Sequence, residues 1–345
     1  MTQVQDVSSI PGPILITGGA GFIGRYLAEA LVSAGHAVTV LDDLSCANST
    51  FNCPQLERPG ITPIEGSVFD EPLMTRMVRE HRTIVHFASV VGVEETIRRP
   101  FDTVDNLRGT MHLARLLTPE HVALFASSAD VYAAHSHMYH NKPMREDDRL
   151  VFERPQVNRW VYAHVKALEE NLIANSAARS VVIRVFNTYG PAMDYPAPKR
   201  VVPHFIHNIL TRTPMRLSGD GRQRRSFCWV GDTVRGMVQA LAYTAAHAAP
   251  FTECFNIGAD NPMSMRELAE YMNAAAVRMG LLDQPLPIQA DAFTYSQSFD
   301  DSWNRVPDIS RARTLLGFEP EMPFAKGMEL TLAHYRDREA KRQAA

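Results

Sequence analysis

The sequence predicts an α/β fold built on a doubly wound parallel sheet, with a smaller α/β lobe toward the C-terminus. Short runs rich in β-branched residues are typical of buried parallel strands. Longer helical patterns, such as residues 25–34 and 107–117, separate these runs, and that alternation predicts helices on both faces of the sheet. The predicted strands are ILIT at 14–17, AVTVLD at 37–42, TIVHFA at 83–88, VALFAS at 122–127 and VVIRVFN at 181–187.

The alternation of predicted strands and helices stops after about Gly190, where a loop-rich stretch contains many prolines. This change predicts where the second lobe begins. Residues 1–190 are expected to form the larger domain, to which about residues 228–258 return. Residues 191–345 are expected to form mainly the smaller, substrate-binding lobe.

Composition and charge narrow the class of partner. The chain has 345 residues, of which 45% are hydrophobic, and its net charge of −3 gives no electrostatic signature for nucleic acid or an anionic membrane. No apolar run approaches the roughly 18 to 20 residues that span a bilayer, and the N-terminus does not resemble a secretory signal. The four cysteines form no CxxC pair, so neither a metal site nor a disulfide framework is predicted. We therefore expect a cytoplasmic protein with a small-molecule partner.

The stretch ILITGGAGFIGRYL, residues 14–27, places Gly18, Gly21 and Gly24 between the first strand and a helix. Glycines at this point let the backbone approach a phosphate, which the positive N-terminus of the helix attracts. A tight strand-to-helix turn would explain the glycines alone. With the rest of the pattern, they predict the pyrophosphate site of a Rossmann-type fold.

The end of the second strand predicts which dinucleotide binds. Asp42 follows the glycine turn at about the distance where an acidic side chain accepts hydrogen bonds from the adenosine ribose. Since a carboxylate repels a 2′-phosphate, NAD is favoured over NADP. Asp43 is either a second cofactor residue or a solvated turn residue.

Tyr162 and Lys166 are four residues apart in a helical pattern, so both project from one helix face. The ammonium is expected to favour the tyrosinate, so that Tyr162 can act as a base. Ser128 lies at the end of the run VALFASS, at the edge where parallel sheets bind ligands, and its hydroxyl is placed to orient a substrate alcohol.

In this order the motifs resemble those of the extended short-chain dehydrogenase/reductases that modify nucleotide-diphosphate sugars. The resemblance covers nearly the whole chain, including IVHFAS, RVFNTYGP, GDGRQRRSF, VGDTVRG and RVPDISRARTLLGFEP. It departs at Ser67, where an aspartate is common, and at Ala133, where glycine is usual. The NAD site that the resemblance implies is made by Gly18, Gly21, Phe22, Ile23, Gly24, Asp42, Ser67, Val68, Ala88, Asn106, Tyr162 and Lys166.

The resemblance also implies a site for a nucleotide-diphosphate sugar. Asn187 and Arg225 stand where the family holds the diphosphate, and arginine binds phosphate bidentately. The neighbouring Arg222 and Arg224 are more simply explained as a solvated loop.

Three reactions share a first step, in which Tyr162 takes the C4 hydroxyl proton and NAD accepts the hydride. A dehydratase uses an Asp-Glu pair that here reads Ala129-Asp130, which argues against dehydration. A decarboxylase of a uronic acid uses an arginine and an acid, and Arg305 and Asp130 stand at those positions. The stretch ASVVGVEETIRRP, residues 88–100, favours a 4-epimerase, with the decarboxylase as the alternative.

Two further possibilities concern the whole protein. A sensor that only binds NAD would not need Ser128, Tyr162 and Lys166 together. Members of the family that the chain resembles commonly form homodimers through helices like residues 106–117 and 157–174, so a homodimer is expected.

Overall fold

A seven-stranded parallel sheet is the centre of the structure, a computed structural model that describes residues 6–46, 49–152, 160–193, 200–291 and 303–344. The strands are β1 (Ile14–Thr17), β2 (Val38–Asp42), β3 (Ile61–Glu65), β4 (Thr83–His86), β5 (Val122–Ser128), β6 (Arg179–Val185), β7 (Thr188–Tyr189), β8 (Met215–Ser218), β9 (Arg224–Ser226), β10 (Cys228–Trp229), β11 (Phe251–Ile257), β12 (Pro262–Ser264), β13 (Ile288–Asp291) and β14 (Asn304–Arg305). The α-helices are α1 (Phe22–Ser33), α2 (Glu71–Glu80), α3 (Val93–Arg98), α4 (Pro100–Leu116), α5 (His135–Met138), α6 (Val161–Ala174), α7 (Val201–Thr211), α8 (Val230–Ala245), α9 (Met265–Arg278), α10 (Ser310–Leu316) and α11 (Phe324–Ala344). Two 3₁₀ turns span Val7–Ser9 and Ala129–Tyr132.

The strand order of the main sheet is β11-β6-β5-β4-β1-β2-β3, and all neighbouring strands are parallel. This is the doubly wound arrangement with one added strand, and it confirms the predicted Rossmann-type fold. The order reverses between β1 and β4, so the loops that follow these two strands diverge and open a crevice at their carboxyl ends.

Alternating side chains of the central strands enter different cores. Ile14 and Ile16 of β1 pack in a cluster with residues of α1, α8 and α10, whereas Leu15 packs with residues of α2, α4 and α6. Both faces of the sheet are therefore covered by helices, as the near-continuous apolar strands predict.

The edge strand β3 was not among the predicted strands. Its residues are half-buried or exposed, and Pro63 interrupts its β pattern. Proline is tolerated at a sheet edge, where one side of the strand has no hydrogen-bonding partner. The other edge, β11, comes from the part of the chain expected to return to the sheet. The domain boundary near residue 190 stays a prediction.

A second core lies between α7, α9 and α11, with Phe205, Met272 and Leu332 among its buried residues. Beside it a three-stranded sheet has the order β12-β9-β14. Arg305 of β14 is the register partner of Arg225 of β9 on a parallel strand. Since register partners point to the same face, this sheet brings two arginines from distant segments side by side.

The helix expected over residues 157–174 is α6, and residues 157–159 lie outside the described residues. None of the helices in the described ranges has the length and apolarity needed to span a membrane.

Candidate active site

The turn between β1 and α1 leaves no room for side chains at two glycines. Gly18 has a φ of 68°, and a Cβ atom there would lie 2.6 Å from the backbone nitrogen of Ala88. A Cβ atom on Gly24 would lie 2.6 Å from the Cα atom of Gly19, so α1 packs closely against the turn. Gly21 is the N-cap of α1 and provides no side-chain cap. The turn therefore offers an anion the backbone N–H groups of a helix N-terminus.

The side chains of Phe22 and Ile23 pack against the hydrophobic clusters. Phe22 is 6% exposed and contacts the Tyr26 ring edge to face, with centroids 6.1 Å apart. These two residues can offer a phosphate their backbone N–H groups but not their side chains.

Asp42 lies at the carboxyl end of β2, next to the turn that follows β1. Its carboxylate, 7% exposed, accepts hydrogen bonds from the backbone N–H of Ala20 at 3.0 Å and of Leu44 at 2.9 Å. Burial raises the pKa of this carboxyl group, and the two backbone donors oppose the rise. Asp43 is exposed and accepts from the backbone and hydroxyl of Ser45, which is the geometry of a turn residue.

Asn106 on α4 fixes the loop that follows β4. Its side chain, 4% exposed, accepts from the backbone N–H of Val90 at 2.7 Å and donates to the Val90 carbonyl at 3.0 Å. The backbone N–H of Ala88, in the same loop, donates to Thr17 Oγ1 at 3.4 Å. Asn106 therefore acts on this loop as a clamp, whatever ligand the loop receives.

Ser67 and Val68 follow β3. The hydroxyl of Ser67 accepts from the Phe69 N–H at 3.3 Å, and the Val68 side chain packs with the core beneath α4. Their side chains make local and packing contacts, and their cofactor role stays a prediction.

Ser128, Tyr162 and Lys166 meet at the carboxyl end of β5. Ser128 ends β5, its side chain lies close enough to Tyr162 to lower that residue's pKa, and its hydroxyl accepts from the Asp130 N–H at 3.1 Å. The Lys166 ammonium lies 5.8 Å from the centre of the Tyr162 ring and 4.6 Å from that of Phe125. The structure thus brings together the three residues that the sequence predicted for proton transfer.

The pKa of Tyr162 is raised, so the surroundings of the phenol as a whole do not favour the tyrosinate that the sequence led us to expect. Burial is the main cause, followed by the negative charges of Asp130 and Glu169. The positive charge of Arg200 and the hydrogen bond from Ser128 act in the opposite direction. The sequence prediction failed because it placed a cation beside the phenol without the carboxylates that share the site.

Asp130 and Arg305 form an ion pair beside this group. Arg305 Nη2 lies 2.8 Å from Asp130 Oδ1, and both side chains are largely buried. Asp308, three residues after Arg305 in the sequence, lies 3.6 Å from Arg145. The structure therefore brings together the two residues that the sequence associated with a decarboxylase.

Arg225 is 7% exposed, and its Nη1 donates to the Arg224 carbonyl at 2.8 Å. Asn187 is half-buried, and its carbonyl accepts from the Cys228 N–H at 2.9 Å. Arg222 is mostly exposed and pairs with Asp220, in agreement with a solvated loop. Contact of Arg225 and Asn187 with a diphosphate stays a prediction.

Sequence reasoning missed two charged residues near Tyr162. Glu169 forms an ion pair with Lys166 at 3.1 Å, and its position three residues later on the same helix was a signal that could have identified it. Arg200, which immediately precedes α7, acts on Tyr162 electrostatically. Arg200 comes near Tyr162 only when the second lobe folds, so no local sequence pattern could have predicted its contribution.

Comparisons with known proteins identify the class to which this fold and site belong. The model of the NAD dependent epimerase/dehydratase family matches residues 14–258. Among relatives, the UDP-N-acetyl-alpha-D-glucosaminuronate decarboxylase of Bacillus cytotoxicus is 30% identical over 94% of this chain and 97% of its own length.

Two solved structures are also similar. An NAD-dependent NDP-hexosamine 5,6-dehydratase of tunicamycin biosynthesis has a TM-score of 0.77 at 27% identity, covering 94% of this chain and 98% of its own. A UDP-glucuronic acid 4-epimerase mutant of Bacillus cereus, solved with NAD, has a TM-score of 0.79 at 22% identity, covering 94% and 99%. The chain belongs to the NAD-dependent epimerase/dehydratase family, whose relatives here include nucleotide-sugar decarboxylases, dehydratases and epimerases.

The residues present fit the NAD on which this family depends. The absence of side chains at Gly18, Gly21 and Gly24 suits the approach of a pyrophosphate to the turn, and the buried Asp42 carboxylate stands at the end of the neighbouring strand. Turn and carboxylate are held together by the hydrogen bond from the Ala20 N–H, so they form one preformed cradle.

Proposed function

We propose that the protein is a decarboxylase of a nucleotide-diphosphate uronic acid, working through a 4-keto sugar. The observation that carries the proposal is the ion pair of Arg305 and Asp130 beside Tyr162. An NAD-binding sensor or an epimerase of neutral sugars has no chemical need for an arginine here, whereas a uronic acid brings a carboxylate that an arginine can bind. The decarboxylase relative, aligned over nearly the whole chain, supports the same reaction.

Ser128 and Tyr162 would receive the C4 hydroxyl of the sugar. Ser128 lies close enough to Tyr162 to influence its pKa, so the two hydroxyls are expected to contact the same substrate hydroxyl. Tyr162 takes the hydroxyl proton as the general base, and Lys166 beneath its ring favours the charged form. Bound NAD supplies the acceptor for the C4 hydride and the donor that returns it.

Arg305 and Asp130 would act on the carboxylate at C5. Once C4 is a ketone, the C5 carboxylate is β to it, so the bond between C5 and the carboxyl carbon breaks. Its electron pair forms the enolate of C4 and C5, CO₂ leaves, and C5 then takes a proton from water, while the proton held by Tyr162 returns to the C4 oxygen when the ketone is reduced. Arg305 orients the carboxylate, while the negative charge of Asp130 favours its loss as neutral CO₂.

The register of β9 and β14 supports a substrate that carries both a diphosphate and a carboxylate. Arg225 and Arg305 are partners on parallel strands, and both are more than nine-tenths buried. Two buried guanidinium groups on one face are suited to two anionic groups of one ligand.

A 4-epimerase is the second candidate, because residues 88–100 resemble the corresponding segment of epimerases. It would use the same Ser128, Tyr162 and Lys166, and would need only space for the keto sugar to turn over. The Asp130–Arg305 pair would then hold the two lobes together and take no part in the reaction.

Product analysis separates these reactions. The holoenzyme is incubated with UDP-glucuronate, UDP-N-acetylglucosaminuronate and UDP-glucose, and CO₂ and product mass are measured. We expect stoichiometric CO₂ and a pentose product from at least one uronic acid. Interconversion of C4 epimers without change of mass, and no CO₂ from either acid, would overturn the proposal in favour of the epimerase.

Arg305→Ala tests the residue on which the proposal depends. We expect CO₂ release to fall about 100-fold or more while bound NAD is retained, since a charge-assisted contact to the substrate is lost. Arg222→Ala, an exposed arginine on the loop leading to β9, is the matched control and should leave the rate unchanged. If Arg305→Ala lowers only thermal stability, the ion pair is structural.

A further inference from the structure

The second carboxylate near Tyr162 belongs to a buried polar cluster that the proposed reaction does not yet use. Glu169 is 1% exposed, and its Oε2 lies 3.1 Å from the ammonium of Lys166, which is 3% exposed. Its other oxygen, Oε1, accepts from the Thr110 hydroxyl on α4 at 2.6 Å. Both carboxylate oxygens are therefore engaged, one by α6 and one by α4.

The contacts continue from Thr110 to the first strand. His86 Nε2 lies 3.2 Å from Thr110 Oγ1, and His86 Nδ1 lies 2.7 Å from Thr17 Oγ1. Thr17, Thr110 and His86 are 0–2% exposed, so this chain has no access to water. Thr17 immediately precedes Gly18 of the cofactor turn.

The carboxylate sets the direction of every hydrogen bond in the chain. An ionised carboxylate only accepts, so Thr110 uses its single O–H on Glu169. His86 must then donate to Thr110 through Nε2–H and accept from the Thr17 hydroxyl at Nδ1. Burial lowers the pKa of His86 to about 4, in agreement with this neutral ring. Each group in this series of hydrogen bonds thus donates to the next, from Thr17 through His86 and Thr110 to Glu169.

The same carboxylate determines where Lys166 can lie. The ammonium is held between Glu169 Oε2 and the face of Phe125, 4.6 Å from the ring centre. Without Glu169, a buried ammonium would keep the Phe125 ring but lose its counter-ion, and a flexible four-carbon side chain would be free to move.

We propose that Glu169 is a positioning residue for Lys166, and that the Thr17–His86–Thr110 chain holds its carboxylate in place. The role rests on the proposed function only in that Lys166 assists Tyr162, a step common to decarboxylation and epimerisation. Glu169 holds the ammonium beneath the Tyr162 ring and offsets part of its charge.

The expected effect on pH dependence follows from the charges around the cluster. Helix α6 contributes Glu169, Lys166 and Tyr162, and α4 contributes the uncharged Thr110. The other charged or titratable groups are Asp130 in the turn after β5, His86 on β4, and Arg200, which immediately precedes α7. Glu169 and Asp130 raise the pKa of Tyr162, and Arg200 lowers it. Removing the charge of Glu169 lowers the pKa of Tyr162, because a repulsion of the tyrosinate disappears. Displacement of Lys166 acts in the opposite direction, but Glu169 is among the main influences on this pKa and Lys166 is not.

Glu169→Gln tests the role by the pH dependence of the first chemical step. The rate at which bound NAD is reduced is followed at 340 nm after mixing with the three sugar nucleotides named above. We expect the acidic limb of the pH profile to move down by about one pH unit, the effect of one nearby charge in a partly buried site. An unmoved limb in a folded Glu169→Gln protein would overturn the proposal.

Glu170→Gln is the matched control, since it makes the same change one residue later. Glu170 pairs with Arg184 at 2.8 Å and accepts from Ser127, so its carboxylate is held by partners other than Lys166. We expect this variant to lose stability but keep the acidic limb of the wild type. An equal shift in both variants would mean that the change is general, and would overturn the specific role of Glu169.

A second measurement does not depend on turnover. A buried ammonium held by a carboxylate gives a slowly exchanging ¹⁵N signal, which Lys166→Met assigns by its loss. The signal should shift or vanish in Glu169→Gln and stay in Glu170→Gln, and an unchanged signal in Glu169→Gln would overturn the proposal. If no sugar nucleotide reduces bound NAD, the proposed function fails, and this signal alone decides the position of Lys166.

Discussion

At the scale of residues, the Tyr162 hydroxyl is the atom on which the proposed chemistry depends most. Tyr162→Phe removes the oxygen that takes the substrate proton and keeps the ring that packs near Lys166. We expect turnover to fall by roughly 10² to 10⁴-fold, while NAD released on denaturation stays at the level of the wild type. Tyr243→Phe, on the opposite face of the sheet, is the control. Near-normal turnover in Tyr162→Phe would contradict the mechanism.

The choice between NAD and NADP depends on Asp42. Asp42→Ala removes the ribose acceptor and the charge that repels a 2′-phosphate, and leaves the N–H groups of Ala20 and Leu44 without this acceptor. The preference for NAD, measured as the ratio of the two dissociation constants, should fall about tenfold or more. Asp43→Ala, which changes an exposed turn, should keep the ratio. If Asp42→Ala also keeps it, the carboxylate does not face the ribose.

Sequence motifs predicted which side chains come together in the candidate active site better than they predicted the pKa values of those side chains. The spacing of Tyr162 and Lys166 placed both on one helix face, because helix geometry is local. The pair of Arg305 and Asp130 joins segments distant in the chain, so no spacing rule measures their 2.8 Å contact. The direction of the Tyr162 pKa was wrong because burial and two carboxylates, which depend on the tertiary fold, outweigh the neighbouring cation.

At the scale of elements, buried strands were easier to predict from the sequence than the first residues of helices or an exposed edge strand. The apolar run of β1 gave the bounds that the structure has, since every residue of this strand is buried. The predicted helix over 25–34 begins at Phe22 instead, because the glycine turn supplies the N-cap and no side-chain capping signal marks it. The exposed edge strand β3 has no buried apolar face and was not recognised.

The outer surface of α4 and α6 is where the predicted homodimer interface would lie. These helices pack side by side, and Phe101, Val104 and Leu168 on them are 82%, 43% and 47% exposed. Exposed large apolar side chains on neighbouring helices indicate an interface, since isolated surfaces rarely group them. We expect wild-type protein to have the mass of a dimer by light scattering, and Leu168→Glu to dissociate it.

The matched control is Leu330→Glu. Leu330 is 42% exposed on α11, so the same substitution adds a charge at similar exposure on another helix. It should keep the dimer mass. Equal dissociation by both variants, or a monomeric wild type, would contradict an interface made by α4 and α6.

At the scale of the whole molecule, His86 ties together β1, β4 and, through Thr110, α4 and α6. Its pKa is lowered to about 4 by burial, so the folded chain binds fewer protons than the unfolded chain between about pH 4 and pH 6.5. The stability due to the neutral ring is therefore present above pH 6.5 and is lost as the pH falls toward 4. The loss from this residue is about 3 kcal/mol.

Urea unfolding between pH 4.5 and 7.5 measures this dependence. We expect the free energy of unfolding of the wild type to fall with decreasing pH, and that of His86→Gln to fall less over the same range. A parallel dependence in the two proteins would mean that other groups, such as His204 and His334, account for it.

The two-residue strand β14 makes the chemistry of the molecule sensitive to chain length. Side chains alternate between the faces of a strand, so a slip of one position against β9 would put Asn304 or Val306 opposite Arg225 in place of Arg305. One inserted or deleted codon before this strand would then exchange a guanidinium for an amide or an isopropyl group, with no catalytic residue mutated. If the proposed function holds, a change of one residue in length before this strand would alter the reaction as effectively as a substitution of Arg305.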